Sequence, residues 1–197
     1  MMKFVLASNN KKKIKELRTI LSKLLPDCEV LSLGDIGFTG DIEENGATFE
    51  ENSVIKASVP AKLGYIGVAD DSGLCVDALD GAPGIHSARY SGGGDNENIE
   101  KLLCELKDVP DEKRTAKFVC VMSAVFPDGK IITARGEAHG VILRERRGED
   151  GFGYDPLFYS DDLKKTFAEA EPDEKNGVSH RGRALSDFCG KLKGVLC

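Results

Sequence analysis

The chain has 197 residues, enough for one domain with a real core. Its 41% hydrophobic content, together with 22 glycines, excludes disorder as the main state. With 27 Lys+Arg against 33 Asp+Glu, the net charge of −6 excludes a broad basic surface for a nucleic-acid polymer or an anionic membrane, so any anion must be held locally.

Residues 3–7 read as a buried strand, too short for a signal-peptide core or a membrane span, which points to a cytoplasmic protein. Ser8-Asn9-Asn10 then leads into a helical pattern with Ile14, Leu17, Ile20, Leu21, Leu24 and Leu25 on one face. Residues 29–33 form a second short strand. Thr48-Phe49-Glu50-Glu51 has the form of a capping box ahead of a helix running toward Lys62, which Pro60 kinks or ends. Residues 66–69 and 74–78 read as two strands flanking Asp70-Asp71-Ser72-Gly73, and Asp95 is placed to cap a helix through Leu106.

From Arg114 the period changes. Ala116, Phe118, Cys120, Met122, Ala124 and Phe126 alternate against the other face, and Pro127-Asp128-Gly129 turns the chain into residues 130–134, giving a long antiparallel hairpin to Leu143. A Gly-rich loop over 148–155, a short strand over 157–159 and a last helix over about 181–192 complete an α/β chain with a mixed sheet. The six cysteines include no Cys-x-x-Cys pair and read as reduced and mostly buried. None of His86, His139 or His180 stands at zinc-ligand spacing from a cysteine pair.

Lys11, Lys12 and Lys13 stand at the start of the first helix, where the macrodipole disfavours cations. A phosphate at that N-terminus would remove the conflict; a solvated basic face is the alternative. The Walker A pattern is absent. Glu43 and Glu44 precede the second helix, and Asp70 and Asp71 follow a strand. Such hard oxygen ligands suit Mg²⁺, which takes one or two carboxylates and fills its other positions with water and phosphate; two turn carboxylates are the alternative. In an extended segment only one of Asp70 and Asp71 faces a given site.

Gly151-Phe152-Gly153-Tyr154-Asp155-Pro156 combines aromatic faces that can stack a base with a carboxylate that can accept from base N–H groups, or else packs as a tight turn. Ser179-His180-Arg181-Gly182-Arg183 repeats the placement of cations at a helix start. Arg181 presents a planar fork and Lys175 a point charge, with pairing to Glu171, Asp173 and Glu174 as the alternative. No Gly-x-Ser-x-Gly and no Cys–His arrangement supports nucleophilic catalysis, and Gly92-Gly93-Gly94 reads as a flexible connection.

Six segments, in order, resemble the inosine triphosphate pyrophosphatase (Ham1-like) family. They are Ser8-x-Asn10-x-x-Lys13; Glu44-x-Gly46-x-Thr48-Phe49-x-Glu51-Asn52; Ala69-Asp70-Asp71-Ser72-Gly73-Leu74; Gly81-Ala82-Pro83-Gly84-x-x-Ser87-Ala88-Arg89-Tyr90; Phe152-Gly153-Tyr154-Asp155-Pro156; and Ser179-His180-Arg181-Gly182-x-Ala184-Leu185. Ser53 departs from the family's usual Ala, and Lys11 and Lys12 carry less weight than Lys13.

The resemblance implies an elongated, twisted mixed sheet flanked by helices, residues 1–197 forming a single two-lobed domain with an active-site cleft between the lobes. It also implies a homodimer and an Mg²⁺-dependent conversion of ITP, dITP and XTP to the monophosphate and pyrophosphate, clearing deaminated purines from the nucleotide pool. Ser8, Asn9, Asn10, Lys11, Lys12 and Lys13 would bind the phosphates, Asp71 would be the catalytic carboxylate, and Glu44 and Asp71 would hold the metal. Ser72, Phe152, Gly153, Tyr154, Asp155, Lys175, His180 and Arg181 would complete the substrate site. Arg181 donating to O6, with Asp155 or a backbone group accepting from N1–H, would reject adenine. A Maf-like pyrophosphatase of different base preference and a nucleotide sensor without turnover are the competing readings.

Overall fold

The computed structural model describes residues 2–8, 14, 17, 18, 21, 22 and 28–196. Six strands form one mixed sheet: β1 (Met2–Leu6), β2 (Cys28–Ser32), β3 (Ile66–Val76), β4 (Thr115–Val125), β5 (Ile131–Ile142) and β6 (Phe158–Ser160), in the order β2-β1-β3-β4-β5-β6. β1 pairs in parallel with β2 and β3, and β6 pairs antiparallel with β5. The helices are α1 (Phe49–Ala61), α2 (Asp95–Glu105), α3 (Pro172–Val178) and α4 (His180–Leu196). Ile14, Leu17, Arg18, Leu21 and Ser22 are helical too, with Leu17 and Leu21 buried, as the apolar spacing requires.

Several elements differ from the sequence pattern. Asp70-Asp71-Ser72-Gly73 is not a turn between two strands but the middle of β3. Residue type argued for a turn, yet both aspartates are buried, so tertiary partners override local preference. β4 is buried on both faces over most of its length, as a central strand must be, whereas β5 keeps strict alternation. Gly94, not Asp95, is the N-cap of α2. Pro60 lies in the last turn of α1, whose backbone continues one residue further. The last helix begins at His180 and runs to Leu196, and α3 lies in a stretch to which the sequence pattern assigns no element. Cys120 and Cys189 are buried, Cys28 and Cys75 half-buried and Cys104 exposed, so the expectation of mostly buried thiols fails among the described cysteines.

The chain divides into two compact units. Unit 1 is Met1–Asp71, Val121–Arg135 and Ala184–Cys197; unit 2 is Ser72–Cys120 and Gly136–Arg183. The core of unit 1 joins Val5, Ala7, Leu33, Ala57, Ala61, Ala69 and Val125. Gly67 lets β3 approach α1: a Cβ there would stand 1.8 Å from the Ala57 carbonyl oxygen. Ser53 meets Ser123 through their hydroxyls at 2.7 Å and donates to the Glu50 carbonyl at 2.9 Å, so its buried hydroxyl is satisfied.

The core of unit 2 is aromatic. Phe158 lies 4.7 Å from Phe118 and 4.9 Å from Phe167, centroid to centroid. Each such pair contributes about 0.5–1.5 kcal/mol beyond its buried area. Buried Arg114 donates to the carbonyls of Leu106, Ile142 and Leu143 at 2.6, 2.8 and 2.9 Å, tying the end of α2 to the end of β5. Among the described residues no helix is long and apolar enough to cross a membrane.

Candidate functional site

Two clusters bring sequence-predicted residues together, one in each unit. In unit 1 one half of the expected capping box forms at α1, the Thr48 side chain on the Glu51 amide, while the Glu51 side chain takes the amide of Ala47, one residue before the N-cap. Thr48 Oγ1 accepts from the Glu51 amide at 3.1 Å, and Glu51 Oε2 accepts from the Ala47 amide at 2.6 Å. This start aims α1 so that Lys56, two turns in, reaches two carboxylates. Lys56 Nζ donates to Glu44 Oε2 at 3.1 Å and to Asp71 Oδ1 at 2.8 Å. Glu44 comes from the loop before α1 and Asp71 from mid-β3.

Asp70 adds a third negative charge felt by both Lys56 and Asp71. Burial pulls Lys56 down, but the charges of Asp71, Glu44 and Asp70 reverse this and hold it above its ordinary value. Burial pushes Asp71 up; Lys56 pulls it back, Glu44 and Asp70 push it further, and it ends above the usual carboxylate range.

Beside the cluster lies a cavity of about 330 Å³ lined by Ser8, Asp41, Glu44, Lys56 and Asp70. Asp71 Oδ2 is buried and has no hydrogen-bond partner, while Oδ1 is committed to Lys56. A buried carboxylate oxygen without a donor is costly unless a cation or donor meets it. Among the described residues no three His, Cys, Asp or Glu side chains converge on one point as a metal cluster. Two neighbouring carboxylates, one with a buried unbonded oxygen, are oxygen donors of the kind that suit a hard divalent cation, which takes one or two carboxylates and completes its shell with water and phosphate. Glu44 and Asp71 are the residues that could hold one.

In unit 2 the loop over 151–155 is shaped by Asp155, which is 2% exposed. Its Oδ2 accepts from the Phe152 amide at 2.8 Å and from Lys175 Nζ at 2.6 Å. Gly151 permits this: its φ is 87°, and a Cβ there would stand 2.4 Å from Asp155 Oδ2. The Gly153 amide donates to Asp95 Oδ2 at 2.9 Å, which is what Asp95 does in place of capping α2. Phe152 is left 56% exposed, with Lys175 Nζ 4.9 Å from its ring centroid. Lys175 comes from α3, and α3 and α4 pack closely because Gly182 has no Cβ; one would stand 1.9 Å from the Asn176 carbonyl oxygen. Ser179 Oγ caps α4 by accepting from the Gly182 amide at 3.1 Å.

Other predicted residues fall differently. Tyr154 is 4% exposed within the core, its hydroxyl donating to the Ser87 carbonyl at 3.0 Å, so it anchors the loop from below rather than offering a face. The His180 ring stacks on Phe118 at 4.8 Å and is 7% exposed. Asp155 Oδ2 is committed to the Phe152 amide and Lys175. Arg181 is half-buried in the first turn of α4, and Ser72 is half-buried in β3. Of the acidic partners considered for the basic cluster, Glu174 pairs with Lys165, while Arg183 pairs with Asp162. Asn9, Asn10, Lys11, Lys12 and Lys13 lie outside the described residues. Sequence reasoning missed Lys56 and Asp41. Lys56 carried one legible signal, a lysine one turn from the buried Asn52, Ser53 and Ala57, Pro60 faces of its helix.

The Ham1 family model matches residues 4–191. The dITP/XTP pyrophosphatase of Clostridium perfringens is 52% identical over 205 residues, covering 100% of both chains. That of Desulforamulus reducens is 52% identical over 190 residues, covering 93% of this chain and 92% of the relative. The solved structure of the Staphylococcus aureus Ham1 protein superposes with a TM-score of 0.90 at 42% identity, covering 98% of each chain. With the family model spanning nearly the whole chain, and relatives this similar over their full length, the chain belongs to the Ham1 family.

Proposed function

We propose that this protein hydrolyses the triphosphates of deaminated purines, dITP, XTP and ITP, to the nucleoside monophosphate and pyrophosphate, with Mg²⁺ as cofactor. It acts as one two-lobed domain within a homodimer in the cytoplasm, on free nucleotides rather than a nucleic-acid polymer. The observation that carries this reading is the Lys56-bridged pair of Glu44 and Asp71, with one Asp71 oxygen unbonded. The names of the relatives agree with it.

Water attacks the α-phosphorus, its proton passes to Asp71 Oδ2, the bond to the bridging α–β oxygen breaks, and pyrophosphate leaves. Asp71 is placed to accept the proton because its Oδ2 is buried and unbonded; without metal, burial first and then Glu44 and Asp70 hold its carboxyl above the usual carboxylate range. Mg²⁺, when bound at Glu44 and Asp71, supplies positive charge for the phosphate oxygens. Lys56 keeps both carboxylates in register, and Ser8 and Lys13 bind the phosphate chain. At the base, Phe152 stacks, Arg181 donates to O6, and Asp155 or a backbone group accepts from N1–H.

The test is a panel of ITP, dITP, XTP, GTP, ATP and dTTP with and without Mg²⁺, measuring pyrophosphate and orthophosphate separately. The expected result is Mg²⁺-dependent pyrophosphate from XTP, dITP and ITP. Orthophosphate as the first product would overturn the bond assignment, preference for dTTP would favour the Maf-like reading, and binding without product would favour a sensor.

A further inference from the structure

We propose that Asn52 is a positioning residue: its buried amide clamps the backbone of the loop that carries Glu44, holding that carboxylate against Lys56. The inference rests on the reading of Glu44 as a metal carboxylate.

Residues 39–47 make no backbone–backbone hydrogen bond among the described residues, so side chains decide where this loop lies. Three of them reach it from one helix. Asn52 Oδ1 accepts from the Gly46 amide at 2.9 Å, Glu51 Oε2 accepts from the Ala47 amide at 2.6 Å, and Lys56 Nζ grips Glu44 Oε2 at 3.1 Å. Asn52 and Lys56 are four residues apart, hence on one face of α1. Two successive loop amides are thus fixed by two successive helix residues, which sets the loop's register against α1 two residues from Glu44.

The approach is tight enough to require glycine. A Cβ on Gly46 would stand 2.7 Å from Asn52 Oδ1, 2.7 Å from Glu51 Cβ and 3.0 Å from the Asn52 nitrogen. Asn52 is fully buried, yet its Nδ2 has no hydrogen-bond partner. A buried amide with its donors unmet works against stability, and an apolar side chain of similar volume would avoid that cost. What the amide does supply is the one bond to Gly46. Gly46 is half-buried, so its N–H can turn to water once the clamp is removed.

A residue kept for position rather than stability makes a distinctive prediction. Asn52→Leu should fold with an unchanged or higher melting temperature. Exchange of the Gly46 amide with deuterium, followed by NMR, should be faster by about 10-fold or more. Mn²⁺ binding without nucleotide, followed by electron paramagnetic resonance, should weaken by roughly 10-fold or more, the range expected when the support of a metal ligand is lost. XTP turnover at saturating metal should stay within about threefold, because the reacting carboxylate itself is intact. Asn52→Asp keeps the acceptor and should keep Gly46 protected. Gly46→Ala, which presses on the clamp from the loop side, should reproduce the metal defect and serves where the leucine variant does not fold.

Unchanged Gly46 exchange and Mn²⁺ affinity in Asn52→Leu would overturn the proposal. So would a joint fall of melting temperature, kcat and metal affinity, which marks a purely structural role. If the wild type releases no pyrophosphate from XTP, the functional reading fails, while the Gly46 exchange still decides the clamp.

Discussion

Two buried lysine–aspartate pairs invite comparison. Lys56–Asp71 in unit 1 closes at 2.8 Å with side chains 12% and 11% exposed; Lys175–Asp155 in unit 2 closes at 2.6 Å with 16% and 3%. Their chemistry and burial are nearly the same, and their surroundings are not. Asp155 spends one oxygen on a lysine and a backbone amide, and so shapes a loop. Asp71 shares its lysine with Glu44, faces Asp70 as well, and leaves Oδ2 without a partner. A carboxylate whose one engaged oxygen ties a lysine to a loop amide builds structure; one that shares its lysine with a second carboxylate and keeps a buried oxygen unbonded is equipped to take a proton or a cation.

The sharpest way to break this distinction is Asp71→Asn. It removes the proton acceptor while retaining shape and the contact to Lys56, and kcat should fall by about 10³-fold or more in a protein with native circular dichroism. Turnover within tenfold of wild type would sink the assignment.

Lys56→Met comes next, since it takes the shared cation from Glu44 and Asp71. A loss of about 3 kcal/mol at neutral pH is expected from denaturant melts. Protonation of the carboxylates relieves the repulsion, so the deficit should shrink as pH falls; a constant deficit would mean that packing, not charge, was lost.

Asp155→Ala should behave differently from Asp71→Asn. It frees the Phe152 backbone and strands Lys175, so kcat/KM for XTP should fall by about 10- to 100-fold, mostly through KM. An equal loss carried by kcat would erase the contrast between the pairs.

The smallest effect concerns pH. In the metal-free protein Asp71 holds its proton above the usual carboxylate range, chiefly through burial and then through Glu44 and Asp70. The folded state then binds that proton more firmly than the unfolded chain. Stability of the metal-free protein should fall as pH rises from the ordinary carboxylate range through the raised value. Added Mg²⁺ offsets that negative charge, so the acid limb of XTP turnover should move to lower pH as Mg²⁺ increases. An acid limb independent of Mg²⁺ would separate Asp71 from the metal.

Much of this was readable from residue order. Thr48 caps α1 through the Glu51 amide as its spacing required, although Glu51 reaches back to Ala47 rather than to Thr48, and the alternation of β5 survives intact. What failed to read through was tertiary in origin. Asp70-Asp71-Ser72-Gly73 has turn chemistry, yet lies within β3 because Lys56, from a different element, meets the buried charge. Local propensity cannot register a partner 15 residues away. Tyr154 and His180 illustrate the converse: their types suit a binding surface, but the core of unit 2 needed their rings. Lys56 escaped notice because one lysine in a helix has no pattern of its own.

The central claim is that water attacks the α-phosphorus of a deaminated purine triphosphate. It is tested most directly by hydrolysing XTP with the wild-type protein and Mg²⁺ in ¹⁸O-water and reading the label by ³¹P NMR. The account predicts one ¹⁸O in the nucleoside monophosphate and none in the pyrophosphate. Label in pyrophosphate, or in orthophosphate released beside the diphosphate, would contradict it.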